Sequence, residues 1–304
     1  MLSRDVHRYI DLHRAIGFKF RIQASLLKNF VAFAEGHGDR FIHTLRAIEW
    51  AGHAPSAPQR YNRLATVHRC AIALHAEDVH HEVPPDDVFG RQWFTRSAPH
   101  IFTPEEIARL IEAAMQLTPR NSIRPLTYAT LFGLLAVTGL RISEALALRL
   151  EDLTPDGLVI LATKFKKDRL VPLHASTSAA LDRYLAARRR VPTVDQALFV
   201  SSVGTKIRYP TVITVFLSLA RRLGLRAGPG QRGPRLNDMR HTFAVRSLEQ
   251  CSMDRGSIAR HVTGLSTYLG HAHVSDTYWY LQATPTLMRQ IAQAGESLHS
   301  GELS

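Results

Sequence analysis

Cysteine is almost missing from this chain: two among 304 residues, Cys70 and Cys251, far apart. Two thiols so placed form neither a disulfide framework nor a zinc-ligand spacing, so a reducing compartment is the natural expectation. No stretch approaches the ~18 consecutive apolar residues that cross a bilayer. The opening MLSRDVHRYIDLHR has no apolar segment of a signal peptide. These absences point to a cytoplasmic protein with no membrane partner. Acidic residues are also in deficit, 26 against 38 Lys plus Arg, which leaves a net charge of +12. A surplus of that size suits an anionic polymer, because each neutralised phosphate releases condensed counterions. Charge alone does not separate DNA from rRNA or a membrane surface. What is present, 45% hydrophobic and 21% charged residues, is an ordinary globular composition with length for about two domains.

Hydrophobic spacing divides the chain. Ile22, Leu26, Leu27, Phe30 and Phe33 fall on one helical face, and segments 43–51 and 56–78 lack strand-like alternation. A bundle of about four helices over 1–85 is expected, ending where Pro84-Pro85 cannot continue a helix. A basic linker, 86–102, carries Arg91, Arg96 and His100. A second domain over 103–304 opens with a start signal: Thr103 as cap, Pro104 in the first position, Glu106 completing a capping box. A helix from about Leu126 stops at Gly139, and a short one spans Ile142–Leu150. Leu158–Leu161 and Leu170–Leu173 read as a hairpin, with Leu198-Phe199-Val200 as a third strand. Helices resume near 209, interrupted by the loop holding Gly228 and Gly230. The fold class is mainly α with a small antiparallel β-sheet.

Four motifs carry chemistry: Thr138-Gly139-Leu140-Arg141 with Ile142-Ser143-Glu144; Thr163-Lys164-Phe165-Lys166-Lys167-Asp168-Arg169 in the hairpin; Asn237-Asp238-Met239-Arg240-His241; and Leu269-Gly270-His271, with Tyr280 nine residues beyond the histidine. Breaking a phosphodiester without a metal needs a nucleophile, cations for the phosphate oxygens and a proton for the leaving hydroxyl. A tyrosine supplies the first and stores the bond energy as phosphotyrosine. Guanidinium groups, planar and permanently charged, supply the second.

In order and spacing the four motifs resemble those of the tyrosine recombinase (phage integrase) family. The resemblance covers the whole second domain, and the helical first domain fits that family's SAM-like core-binding domain. It implies that Tyr280 is the nucleophile, that Arg141 and Arg240 grip the phosphate, that Lys164 is the general acid and that His271 donates a further hydrogen bond. Tyr268 and Tyr278 are rivals to Tyr280, but distance from His271 selects Tyr280. Lys166, Lys167, Arg169, Arg226, Arg232 and Arg235 are expected to contact DNA, and Glu144 to buttress Arg141. One position departs: Asn237 stands where the family usually has histidine, and an amide cannot accept a proton at neutral pH. His241 is not expected to replace it, because adjacent helical residues point about 100° apart.

The resemblance further implies double-stranded DNA clamped between two domains, a homotetramer on paired sites and no cofactor or metal. A C-terminal helix, about 285–294, would dock on a neighbouring subunit, and a mobile element with partner recombinases is the expected setting. Two other readings stay open: a catalytically weak DNA-binding accessory protein, which Asn237 favours, and type IB topoisomerase-like relaxation. His75, His80 and His81 have no metal-ligand spacing and are expected to be solvated.

Overall fold

Apolar residues at helical spacing organise the first ninety residues into four helices: α1 (Leu2–Ala15), α2 (Arg21–Gly36), α3 (Thr44–Gly52) and α4 (Ala57–His75). Leu2, Val6 and Ile10 from α1 meet Leu27 and Phe30 from α2, Trp50 from α3 and Leu64, Val67 and Leu74 from α4 in one core. Ile22 is exposed instead of joining this face, while Leu26 and Phe33 lie at its margin. The α2 stripe therefore starts at Ala24. Cys70 is fully buried in it, and burial pushes its thiol up to about 12, which makes it unreactive. His81 is not solvated: it is buried, its Nδ1 accepting from the Ile42 backbone N–H at 3.2 Å, and burial lowers its pKa. His75 Nδ1 donates to the His81 carbonyl.

The computed structural model describes residues 1–90, 98–161, 168–228, 230–231, 233–250 and 255–270 (side chains from 260), and positions 273, 275, 277, 280 and 289. The chain divides into two units, Met1–Arg96 and Ser97–Ser304. Phe89 packs on the first core, and Phe102 is fully buried in the second. Both ends of the expected linker thus belong to the units they adjoin.

The second unit contains α5 (Pro104–Met115), α6 (Arg124–Thr138), α7 (Ile142–Ala145), α8 (Ala175–Arg188), α9 (Tyr209–Arg222), α10 (Asp238–Glu249) and α11 (Arg255–Leu269). Its sheet is β1 (Leu153–Thr154), β2 (Gly157–Ile160) and β3 (Arg169–Val171), antiparallel in that order, with Leu158 opposite Val171 and Ile160 opposite Arg169. The start of α5 has the expected capping box, with Thr103 Oγ1 accepting from the Glu106 N–H and the Glu106 carboxylate accepting from the Thr103 N–H. α6 is apolar nearly all round and packs Tyr128, Leu131, Phe132, Leu134 and Leu135 into the core, leaving Val137 exposed.

Three local expectations change. α7 ends at Ala145 rather than Leu150, because the chain turns to exchange bonds with 196–198: Leu198 N–H to Leu148 O at 2.7 Å and Leu150 N–H to Gln196 O at 3.0 Å. For the same reason 198–200 forms no sheet strand; it makes single bridges on either side, and the third strand is Leu153–Thr154. α8, unforeseen from the sequence, packs Leu181, Tyr184 and Arg188 inward at helical spacing. No helix among the described residues is long and apolar enough to cross a membrane.

Candidate active site

Two helix ends and one helix start converge on a single pocket. α6 stops at Gly139, whose φ of 60° is left-handed, and a Cβ there would sit 2.5 Å from the Phe243 ring. Glycine thus satisfies both the turn and the close approach of α10. The turn buries Leu140 and leaves Arg141 facing the pocket at the head of α7. α10 brings Arg240 from the opposite side, 4% exposed, and α11 ends with the carbonyls of Leu269 and Gly270.

The two arginines share an acceptor. Arg240 Nη2 donates to Leu269 O at 2.6 Å and its Nη1 to Gly139 O at 2.8 Å. Arg141 Nη1 lies 3.4 Å from the same Leu269 oxygen, and its Nη2 3.3 Å from Gly270 O. The Arg141 side chain, 29% exposed, is anchored by Glu144, while these long contacts to the α11 carbonyls can give way to a ligand. Arg240 is held more firmly. Its pKa is lowered to about 10, first by burial and then by the charge of Arg141, with Tyr280 and Glu144 acting the other way. It remains protonated at neutral pH, a desolvated cation whose environment improves when an anion arrives.

Glu144 ties the pocket together. It accepts from the Arg141 backbone N–H at 3.0 Å and from Arg141 Nη1 at 2.8 Å. It also accepts from Arg169 Nη2 at 2.8 Å and Nη1 at 3.3 Å. Burial pushes its carboxyl up, but bonds from Arg169 and Arg141 outweigh that, and its pKa is lowered. Among these four side chains three cations face one anion, so the pocket is built to receive negative charge.

Arg169, expected at the DNA backbone, instead turns inward from β3: its side chain is 11% exposed and paired with Glu144, and its Nε is buried without a partner. It packs so near Gly270 that a Cβ there would lie 2.8 Å from its Nη1. We expect Glu144→Ala to strand Arg169 and Arg141 and to cost about 3–5 kcal/mol of stability at pH 7, the usual loss when one member of a buried ion pair is removed. Because the carboxyl's folded pKa is depressed, its contribution is full above the unfolded carboxylate range and fades as pH falls through the folded value. Denaturant melts of both proteins at pH 7 and near pH 3 check this: the gap narrows in acid.

Tyr280 is 3% exposed and packs with Ala244, Val245, Leu248, Val262, Leu265 and Leu269. Its hydroxyl is 3.2 Å from His241 Nδ1. On the other edge of that imidazole, Nε2 lies 2.9 Å from Asn237 Nδ2 and 4.0 Å from Asp238 Oδ1. Sequence reasoning set His241 aside because it points away from Arg240. The phenol lies on that other flank of α10, the face that Asn237 and His241 share at (i, i+4) spacing. That spacing was the available signal.

Arg141, Arg240, Tyr280 and Asn237 are thus brought together, with Glu144, Arg169 and His241. Lys164, Lys166, Lys167, Arg232 and His271 lie outside the described residues, as does the expected 285–294 helix apart from position 289. Arg226 staples its own loop, donating to the carbonyls of Gln231, Gly233 and Pro234 at 2.8–3.0 Å, rather than facing outward. Arg235 is half exposed beside the buried Asp238.

Comparison with known proteins adds to this geometry. Residues 100–286 match the model of the phage integrase family. An integrase/recombinase named y4rB of Sinorhizobium fredii is 39% identical over 295 residues, covering 94% of each chain. The tyrosine recombinase XerD of Mycobacterium tuberculosis is 33% identical over 204 residues, 65% of this chain and 61% of that one. Among solved structures, XerH site-specific recombinase in a post-cleavage complex with difH DNA is similar at a TM-score of 0.65 and 18% identity, over 90% of this chain and 79% of that one. Lambda integrase, as a tetramer on a Holliday junction, is similar at 0.63 and 17% identity, over 90% and 77%.

Proposed function

Because the chain belongs to the phage integrase family of tyrosine recombinases, whose members cut and rejoin DNA, we propose that it does so as a site-specific recombinase with Tyr280 as its nucleophile. The observation that carries the reading is the shared Leu269 carbonyl, which puts the guanidinium groups of Arg141 and Arg240 in one pocket. A phosphate replacing that weak contact with Arg141 meets two forks of donors at once. They stabilise the charge that grows on its non-bridging oxygens in the transition state, where such preorganised donors act most strongly.

Tyr280 attacks the phosphorus, the bond to the 5′-oxygen breaks, and a 3′-phosphotyrosine remains with a free 5′-hydroxyl. A 5′-hydroxyl from a partner strand reverses the step, so the bond energy is conserved and the scheme needs no nucleotide or metal. By resemblance Lys164 protonates the leaving oxygen, and His271 adds a hydrogen bond to the phosphate. Duplex DNA is the substrate, read by backbone contacts from both units, with four protomers on two sites and other recombinases as candidate partners. The net charge of +12 supports a polyanionic partner, and the lambda integrase tetramer supports the assembly.

The test is a nicked duplex from the gene's own flanks, built so that the short released fragment bearing the free 5′-hydroxyl diffuses away. A covalent protein–DNA adduct that survives denaturation, with the nucleotide on the peptide containing Tyr280, is the expected product. Tight binding without an adduct would favour an accessory DNA-binding protein. Relaxation of plasmids lacking any such site would favour a topoisomerase.

A further inference from the structure

The nucleophile needs a proton acceptor, and an amide at Asn237 cannot be one. Resting on the reading of Tyr280 as nucleophile, we propose that His241 is the catalytic base that takes the Tyr280 proton, and that Asn237 is the residue that positions it.

The geometry is a three-member chain along one flank of α10. Asn237 at the helix start and His241 one turn later face the same way, and the imidazole bridges the amide and the phenol at 2.9 and 3.2 Å. The rings of His241 and Tyr280 are tilted by 52° with centroids 5.4 Å apart, so the contact runs edge to edge through Nδ1 and is not a stack. The imidazole side chain is only 15% exposed, which limits competition from water for the phenolic proton.

Tautomer and amide orientation define two states. With the Asn237 amino group toward Nε2, that nitrogen accepts, Nδ1 carries the proton, and the imidazole holds the phenol by donating to it. Rotating the amide by half a turn exchanges its oxygen and nitrogen at almost no cost in shape. The oxygen then accepts from Nε2–H, and the Nδ1 lone pair faces the phenolic O–H. In that state the phenolic O–H bond breaks as oxygen bonds to phosphorus, and the proton passes to Nδ1. The imidazolium so formed has Asn237 Oδ1 on Nε2 and the Asp238 carboxylate 4.0 Å away. The proton returns to the phenol when the partner hydroxyl reverses the reaction.

Among the described residues, the charged and titratable groups around His241 act in both directions. Asp238, already bonded to Arg235 at 2.8 and 2.9 Å, favours the imidazolium. Arg240 on the same helix, with Arg141 and Arg169 across the pocket, opposes it, and Glu144 partly cancels those cations. Tyr280, the proton donor, is the titratable group bonded to Nδ1. Bound phosphate offsets the arginines further, which favours the imidazolium at the moment the phenol gives up its proton.

Adduct formation on the nicked substrate, measured in single turnover from pH 5.5 to 9, tests this. Wild type is expected to gain rate with pH through an acid limb that reports the His241 base. His241→Ala and His241→Gln lose about 10²–10⁴-fold at pH 7, the usual worth of general base help, and lose that limb. Gln keeps a hydrogen bond to the phenol, so its failure is not a packing effect. Added imidazole partly restores His241→Ala. Asn237→Asp places a carboxylate on Nε2, which stabilises the imidazolium, raises its pKa and moves the acid limb to higher pH by about one unit. Full activity of His241→Gln with an unchanged pH profile would overturn the proposal. If wild type itself forms no adduct, the reading of Tyr280 fails, which is a different result.

Discussion

Tyr280→Phe yields no covalent adduct on the nicked duplex, while binding to the same DNA stays within about twofold of wild type. The change removes one oxygen, the atom that would bond to phosphorus. The ring keeps its packing against Leu265 and Leu269. The structural cost includes the hydrogen bond with His241 at 3.2 Å, about 1 kcal/mol for such a pair. Filter binding and denaturing gels on one set of samples separate the two effects. An adduct in the Phe variant would mean that Tyr268 or Tyr278 is the nucleophile.

Arg240→Ala is the second large effect. Its fork bridges Gly139 O and Leu269 O from within the core, so it supplies a fixed cation at the place where phosphate charge grows. Removing one preorganised donor of transition-state charge costs about 10²–10³-fold in rate, and this donor carries a full charge in a water-poor site. The loss falls on the cleavage rate at saturating DNA, because affinity for the duplex is spread over many phosphate contacts. Arg240→Lys keeps the charge but loses the fork, so it recovers only part of the rate. Arg141→Ala follows the same pattern with a larger share in binding, since Arg141 is partly exposed and its contacts to the α11 carbonyls are long.

The legible parts of the fold were those that local chemistry decides. The capping box at Thr103–Glu106, the stop at Gly139 and the β2–β3 pairing each follow from side chains within a few residues. The misread parts were decided by distant partners. Residues 148–150 left the helical path because 196–198 bonds their backbone, and 198–200 lost its strand to the same exchange. In the site, the motifs named Arg141, Arg240 and Tyr280, because charge and nucleophile are residue types that one sequence displays. Two roles depended on direction and could not be seen there. Arg169 turns inward because Glu144 reaches it across the sheet edge, and His241 becomes the phenol's neighbour because the chain beyond α11 approaches that flank of α10. With His241 as the proposed base, Asn237 no longer argues for a catalytically weak accessory protein.

The central claim is that two guanidinium charges are gathered on one phosphate before the phenol strikes it. It is tested most directly by replacing that phosphate with an uncharged methylphosphonate, which removes a charge from the reacting group. If Arg141 and Arg240 act by neutralising that charge, Arg141→Ala and Arg240→Ala recover much of their lost cleavage on the neutral substrate, by tenfold or more relative to wild type. Equal deficits on the charged and the neutral substrate would contradict the account.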